Sequence, residues 1–453
     1  MIQIKPFRDH LFCGTFGLEK EGLRVDANGR FAHTPHPFSD SDGIGRDFSE
    51  SQTEINTGVC STAEEVMEEL SEKTTMIHRR LDALPEKEYL WPFSNPPYIR
   101  NELDIPIARF YGDEAYKTAY REYLSDRYGR YKMAFSGIHV NYAFDEQLLR
   151  EVYEQFKKER CTFSAENAQG LSCNIGVPDA GMGYRAFKDA FYLKLAAQCA
   201  AYGWIVTALT AASPVMDGSY MEKHAAGKDL FLGLASVRSS ELGYWNFFAP
   251  VFDYSSLEAY VNGIRKYVND GLIRNPSELY YPVRLKPRGD NSLSALQHEG
   301  VDHIELRMVD LNPLLYEGLD IRDVKFIQLF LVWLAFTPAK RFEIKDQVQA
   351  VQNFKNAAHY DLKTVKIVPS GGLAESVADA SLEIIRRMQA FYEGFEKEVS
   401  EILAFEEDKL INPENRYAWQ IYREYREGYF EKGLQLAKKR QAQGQERSSS
   451  SGS

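Results

Sequence analysis

The chain has 453 residues, of which 44% are hydrophobic and 26% charged, with a formal net charge of -11. That apolar content supplies a large soluble core, and the negative balance argues against DNA, RNA or an anionic membrane as the main partner. An acidic protein that handles phosphate needs local cations, either metal ions or a few placed arginines. Five cysteines, Cys13, Cys60, Cys161, Cys173 and Cys199, lack CxxC spacing. Neither a zinc site nor a disulfide framework is expected, which fits a reducing cytoplasm.

The first ten residues lack a signal-peptide core. Phe16-Gly17-Leu18-Glu19-Lys20-Glu21-Gly22-Leu23-Arg24 follows. Read as a strand, it points Glu19 and Glu21 to one face and Phe16 and Leu18 to the other. Like charges on one strand face repel, and a hard cation such as Mg²⁺ removes that cost. Asp47-Phe48-Ser49-Glu50-Ser51-Gln52-Thr53-Glu54 brings further carboxylates, with Glu50, Gln52 and Glu54 sharing a face. Ser61-Thr62-Ala63-Glu64 has the capping-box pattern. It opens a helix carrying Val66, Leu70, Ile77, Leu81 and Leu84 at helical spacing.

Trp91-Pro92-Phe93-Ser94-Asn95-Pro96-Pro97-Tyr98 is a rigid loop. In the strand from Ile138 to Phe144, His139 and Asn141 oppose Ile138, Val140 and Tyr142. Helices are expected over about 145–160, 186–212, 321–336, 374–403 and 416–440. The uncharged run from Leu195 to Pro214 is long enough for a membrane span but reads as a buried core helix. Arg288-Gly289-Asp290 is a loop. His303, Glu305 and Arg307 oppose Ile304, Leu306 and Met308 in a last strand. From Lys438 the polar, Ser-rich sequence is expected to be a disordered tail, residues 438–453, after a single catalytic domain over 1–437.

Four segments therefore pair an apolar face with a face bearing functional groups. The economical reading is an α+β fold: one antiparallel sheet packed by helices on its apolar side, with a polar cavity on the other. The cavity would collect Glu19, Glu21, Asp47, Glu54, His139, Asn141, Glu305 and Arg307. Carboxylates with a neutral imidazole suit two or three Mg²⁺ ions, or Mn²⁺, and an arginine among acids suits phosphoryl transfer. Taken singly, His139 reads as a core histidine, and Glu305 with Arg307 as an ion pair on a solvated face. No Walker A, Rossmann or kinase signature occurs, so a nucleotide would be held by metals and the cavity walls.

The ordered motifs are Phe-Gly-Leu-Glu-Lys-Glu-Gly-Leu-Arg at 16–24, Asp-Phe-Ser-Glu-Ser-Gln-Thr-Glu at 47–54 and Leu-Trp-Pro-Phe-Ser at 90–94. Arg-Tyr-Gly at 127–129, Ser-Gly-Ile-His-Val-Asn-Tyr at 136–142 and Ala-Ser-Pro at 212–214 follow. Arg238 with Leu242-Gly243-Tyr244, then Tyr280-Tyr281-Pro282-Val283-Arg284, then Ile-Glu-Leu-Arg-Met-Val-Asp-Leu-Asn-Pro at 304–313, complete the series. Over roughly residues 10 to 340 the chain resembles the bacterial glutamate–cysteine ligase (γ-glutamylcysteine synthetase) family, including the ligase half of bifunctional glutathione synthases.

The resemblance implies a funnel-shaped active site on a curved antiparallel sheet, related to glutamine synthetase. It implies ATP-dependent phosphorylation of the γ-carboxylate of L-glutamate, then attack by the amine of L-cysteine. By position it implies metal binding by Glu19, Glu21, Asp47, Glu54, His139 and Glu305, with Arg307 beside the transferred phosphoryl group. Arg238, Tyr120, Tyr244 and Tyr281 match residues around the amino acids, and Phe48 and Leu124 match apolar walls of the cysteine pocket. Met133 departs from the family, which often carries glutamine there, and so removes an amide near the acceptor. Val140 replaces an aromatic. The chain ends without an ATP-grasp region, so the dipeptide is its expected product. Two other readings are a same-fold carboxylate–amine ligase with another acceptor and a silent binding subunit. The second would have lost metal carboxylates or the arginine, and none is missing.

Overall fold

A computed structural model of the protein describes residues 5–162, 183–221, 227–339 and 342–450. Cys173 lies outside them, as do residues 1–4 and 451–453. The period-two segments form strands as read: β1 (Gly14–Val25), β3 (Gln52–Asn56), β5 (Gly137–Phe144) and β9 (His303–Asp310). They join β2 (Ile44–Arg46), β4 (Tyr89–Leu90) and β8 (Val283–Lys286) in a seven-stranded sheet of order β2-β3-β1-β5-β9-β8, with β4 pairing the end of β1. Every pairing in it is antiparallel. A small hairpin, β6 (Val215–Asp217) and β7 (Asp229–Phe231), stands apart.

The apolar face holds Phe16, Leu18, Ile138, Val140, Tyr142, Ile304, Leu306 and Met308 in one buried cluster. Helices α1 (Ala63–Asp82), α4 (Tyr184–Tyr202) and α8 (Ile321–Phe336) cover it. Val66, Leu70, Ile77 and Leu81 of α1 are buried there, as their spacing requires. The cap sits one residue later than the pattern suggested: Thr62 accepts from the Glu65 N–H at 3.1 Å, and Glu65 accepts from the Ser61 N–H at 2.8 Å. Lys20 and Arg24 break the apolar face, Arg24 paired with the buried Glu88. Lys20 is buried beneath the sheet with Nζ 3.2 Å from the Thr74 hydroxyl, and burial beside Arg440 pushes its pKa down to about 7.

Helices α2 (Ala115–Tyr128), α3 (Glu146–Thr162), α5 (Trp204–Thr210), α6 (Leu257–Asn269), α7 (Leu293–Glu299) and α9 (Ile344–Ala357) fill in the layer and the cavity rim. Three expected helices are each split. The first breaks between α4 and α5 at Gly203, where a Cβ would lie 2.4 Å from the Cys199 carbonyl oxygen. The second divides into α10 (Val377–Phe391) and α11 (Lys397–Ile411). The third divides into α12 (Tyr417–Tyr425) and α13 (Tyr429–Ser450) at Gly428, whose φ of 79° only glycine adopts freely. The Leu195 to Pro214 run is buried across α4 and α5, and among the described residues no helix is long and apolar enough to cross a membrane.

The expected disordered tail is helical up to Ser450 instead. Arg440 donates to the Pro313 carbonyl, and Gln441 donates to the carbonyls of His78 (3.3 Å) and Glu88 (2.8 Å). Polar side chains dock this helix on α1, so a lack of apolar residues did not free it. Glu50 also departs from its expected strand. A turn closed by the Gln52 N–H to Ser49 O bond aims it outward, onto the backbone N–H groups of His36 and Arg109 and the Arg46 guanidinium.

Candidate active site

Register brings the polar faces together. Glu19 stands opposite His139 across β1 and β5, Glu21 opposite Glu54 across β1 and β3, and Asn141 opposite Glu305 across β5 and β9. Between Ile138 and Val140 the β9 partner steps from Val309 to Leu306, so β9 carries a bulge beside His139. The extra residue brings Asp310 opposite Gly137, onto the cavity side. There Asp310 accepts from the Ala212 N–H (3.0 Å) and from the hydroxyls of Ser213 (2.7 Å) and Ser236 (3.0 Å).

A cavity of about 420 Å³ opens above this face. It is lined by Glu19, Glu21, Asp47, Phe48, Glu54, Tyr120, Leu124, Met133, His139, Tyr244, Glu305 and Arg307. Asn141 supports from the side, its Nδ2 donating to Glu19 Oε1 at 3.2 Å. Arg238 and Tyr281 do not line this cavity. They border a smaller adjoining one of about 60 Å³, which shares Tyr244, Tyr280 and Arg307 with the first. Arg238 lies flat against Gly137, where a Cβ would sit 2.2 Å from the guanidinium carbon, and donates to the Arg307 carbonyl at 2.7 Å. Of the two adjacent tyrosines, Tyr280 faces the main cavity, while Tyr281 packs in the apolar core.

Several wall residues escaped the sequence reading. Arg284 and Lys286 alternate with the buried Val283 and Leu285, the same polarity logic that exposed the other strands. Arg121 and Lys117 come from α2, next to Tyr120. Asn275, Ser277 and Asn291 come from turns, which leave no periodic signal.

Glu19, His139 and Glu305 offer ligand atoms within 4.8 Å of one another. His139 Nδ1 lies 2.9 Å from Glu19 Oε2 and 3.6 Å from Glu305 Oε1. Arg307 Nη1 donates to Glu305 Oε1 at 3.0 Å, and Lys286 Nζ approaches the same oxygen at 3.4 Å. Burial would raise the Glu305 pKa, but Arg307, Lys286 and His139 hold it well below the usual carboxylate range. Burial likewise works against Glu19, whose bond with His139 keeps it low. The His139 imidazole is held neutral by burial and by Arg307, the form that ligates a cation.

The second group behaves oppositely. Burial and Asp47 push Glu21 up to about 8 even though it accepts the Gly137 N–H at 2.8 Å. Burial with Asp47, Glu19 and Glu21 raises Glu54 well above its ordinary value. Glu305 Oε2 and Asn141 Oδ1 are buried without a hydrogen-bond partner among the described residues. Crowded carboxylates, an orphaned anionic oxygen and a neutral imidazole fit hard divalent cations of the Mg²⁺ or Mn²⁺ kind.

Three comparisons bear on this arrangement. The chain is 31% identical over 455 residues to the glutathione biosynthesis bifunctional protein GshAB of Clostridium perfringens, covering 97% of this chain and 55% of that protein. It therefore spans about half the length of that relative. It is 29% identical to a glutamate–cysteine ligase of Clostridium acetobutylicum, covering 94% of this chain and 95% of that one. The crystal structure of a glutamate–cysteine ligase from Francisella tularensis in complex with AMP superposes with a TM-score of 0.79 at 22% identity, covering 95% of this chain and 89% of that one, and so shares the fold. The glutamate–cysteine ligase family matches residues 1–269 and 247–357. With the match running through every strand of the carboxylate-lined sheet, the chain belongs to the glutamate–cysteine ligase family.

Proposed function

We propose that this chain joins the γ-carboxylate of L-glutamate to the amine of L-cysteine with ATP, through a γ-glutamyl phosphate, yielding γ-glutamylcysteine, ADP and phosphate. The observation that carries the reading is the convergence of Glu19, His139 and Glu305 within 4.8 Å of one another, with Arg307 on Glu305 at 3.0 Å. Glu19, Glu21, Asp47, Glu54, His139 and Glu305 would hold two or three Mg²⁺ ions, which neutralise phosphate charge when bound. The AMP in the Francisella tularensis ligase supports ATP as a co-substrate. The free Cys13, Cys60 and Cys199 accord with a cytoplasmic setting.

Each chain residue then has a task. A free carboxylate is a poor acyl donor because its oxide leaves badly. A γ-carboxylate oxygen attacks the terminal phosphorus and ADP departs. The Arg307 guanidinium, fixed by Glu305, stabilises charge on the transferring phosphoryl group. The cysteine amine next adds to the acyl carbon, phosphate leaves, and the amine proton passes to solvent or a cavity carboxylate. Phe48, Leu124, Tyr120 and Met133 wall the acceptor side, and Tyr244 and Tyr280 stand beside the amino acids, with Arg238 bordering the adjoining cavity. Within this reading one catalytic unit runs on through α13, whose Arg440 and Gln441 are docked on the rest of the fold.

The test is ATP-dependent phosphate release with glutamate, with and without cysteine, using glutamate labelled with ¹⁸O at the γ-carboxylate. One label should pass to phosphate. Label found in AMP would mean adenylation and would overturn the mechanism. Met133 favours one second reading, a ligase of the same fold with another amine acceptor. A panel of amines in the same assay separates the two.

A further inference from the structure

A knot of buried polar groups lies behind one wall of the cavity. Glu278 is fully buried and lines neither of the two adjoining cavities. Its carboxylate accepts from the Tyr128 hydroxyl at 2.8 Å, the Tyr123 hydroxyl at 3.3 Å and the Arg274 backbone N–H at 2.6 Å. Arg127 Nε stands 3.0 Å from it. The Glu278 carbonyl accepts from Asn246 Nδ2 at 2.8 Å, and Asn246 Oδ1 accepts from the Tyr280 N–H, also at 2.8 Å.

Glu278 thus ties three stretches that are distant in sequence: its carboxylate holds α2 to the turn at 274–280, and its backbone carbonyl holds the stretch around Asn246. Each supplies a wall of the main cavity, Tyr120 and Leu124 from α2, Tyr280 from the turn, and Tyr244 from the third. The rings of Tyr244 and Tyr280 meet at a 36° tilt with centroids 3.9 Å apart, and Tyr280 meets Tyr128 edge-on at 5.4 Å. Glu19, Glu21, Glu54 and Glu305 owe their places to strand register instead, while Asp47 follows β2 and its carbonyl accepts from Arg121 of α2.

We infer that Glu278 is a positioning residue that sets the width of the acceptor pocket by holding α2 against the Tyr244–Tyr280 wall. The inference rests on the acceptor side assigned above. A buried charge shared by several donors keeps its geometry only while every donor is answered. Glutamine removes the charge beside Arg127 and fits neither way round: with its oxygen toward Tyr123, Tyr128 and Arg127 its NH2 faces the Arg274 N–H, and flipped it turns that NH2 toward Arg127. The α2 wall then loosens, while Glu19, Glu21, Glu54, His139, Glu305 and Arg307 stay on the sheet.

The experiment varies ATP, glutamate and cysteine separately in the full-length parent and in Glu278→Gln. The expected result is a rise of about tenfold in KM for cysteine, with kcat and KM for ATP within about twofold, and a better relative rate with a bulkier amine such as norvaline. A uniform rise in all three KM values would overturn the inference in favour of a scaffold role, and an unchanged KM for cysteine would overturn it outright. If Glu278→Gln does not fold, Tyr123→Phe removes one donor and is read by the same KM values, with a smaller rise confined to cysteine expected and none counting against the inference. A parent enzyme without cysteine-dependent phosphate release would defeat the assigned reaction itself, a separate failure.

Discussion

Glu21 and Glu54 stand directly opposite each other across the β1–β3 ladder, and Asp47 is close enough to raise both. Like charges in that relation oppose the fold unless a cation lies between them. In metal-free buffer Glu54→Gln is therefore expected to be more stable than the parent by roughly 1–2 kcal/mol. Excess Mg²⁺ should reverse the order, because binding to the native state alone contributes about 2.7 kcal/mol at a hundredfold excess over Kd. Thermal melts of both proteins with and without Mg²⁺ read this directly. A parent melt indifferent to Mg²⁺ would refute the assignment.

Arg307 is held from two sides, through its guanidinium to Glu305 and through its carbonyl to Arg238. That fixes a planar fork beside the carboxylate cluster, a geometry lysine cannot copy although it keeps the charge. Arg307→Lys is expected to lower kcat by about 10²–10³ with a small change in KM for cysteine. Lysine still answers Glu305, so folding should survive. Steady-state kinetics alongside circular dichroism separate the two effects, and near-parental kcat would remove Arg307 from the phosphoryl step.

The sheet was legible because alternation is a local property. Phe16, Leu18, Ile138, Val140, Ile304 and Leu306 declare one face and Glu19, His139 and Glu305 the other, before any pairing is known. Lys20 shares the face of Phe16 and Leu18, but its burial against Thr74 depends on where α1 packs, which alternation does not show. Helix α2 escaped as an element, and its cavity-lining Lys117 and Arg121 with it, although the resemblance named Tyr120 and Leu124; only Thr118, Leu124 and Tyr128 of it are buried and no apolar stripe results. Gly203 and Gly428 split helices whose apolar pattern runs on across the break. Tyr280 and Tyr281 are alike in sequence, and the turn ahead of β8 alone decides which one meets the cavity.

His78 is buried in α1, where burial, Lys20 and Arg440 push its pKa down to about 3. Its Nδ1 has no partner among the described residues. The unfolded chain takes up the proton near pH 6.5 and the folded one only near 3. Between those values the unfolded state binds more protons, so His78 costs no stability above pH 6.5 and subtracts progressively as pH falls. Between pH 7 and pH 4 the parent should lose up to about 3 kcal/mol more than His78→Leu. Urea melts across that range test it, and parallel losses in the two proteins would show that His78 does not titrate there.

Met133 is buried in the cavity wall beside Phe48, Leu124 and Tyr120. All four present carbon or sulfur surface, or an aromatic ring, to a small acceptor. Apolar contact separates a thiol from a methyl of similar size by only about 1–3 kcal/mol, and a thioether adapts its shape readily. Cysteine is therefore expected to be the best acceptor, with 2-aminobutyrate taken unusually well. Met133→Gln places an amide on that wall and should raise the ratio of kcat/KM for cysteine over 2-aminobutyrate several-fold. The gain should come from a poorer 2-aminobutyrate reaction, because the buried amide is left unanswered when the acceptor lacks a polar side-chain atom. Competition between the two amines at fixed glutamate and ATP measures the ratio. If 2-aminobutyrate is inert with the parent enzyme, selection is made elsewhere in the pocket and Met133 is only a wall.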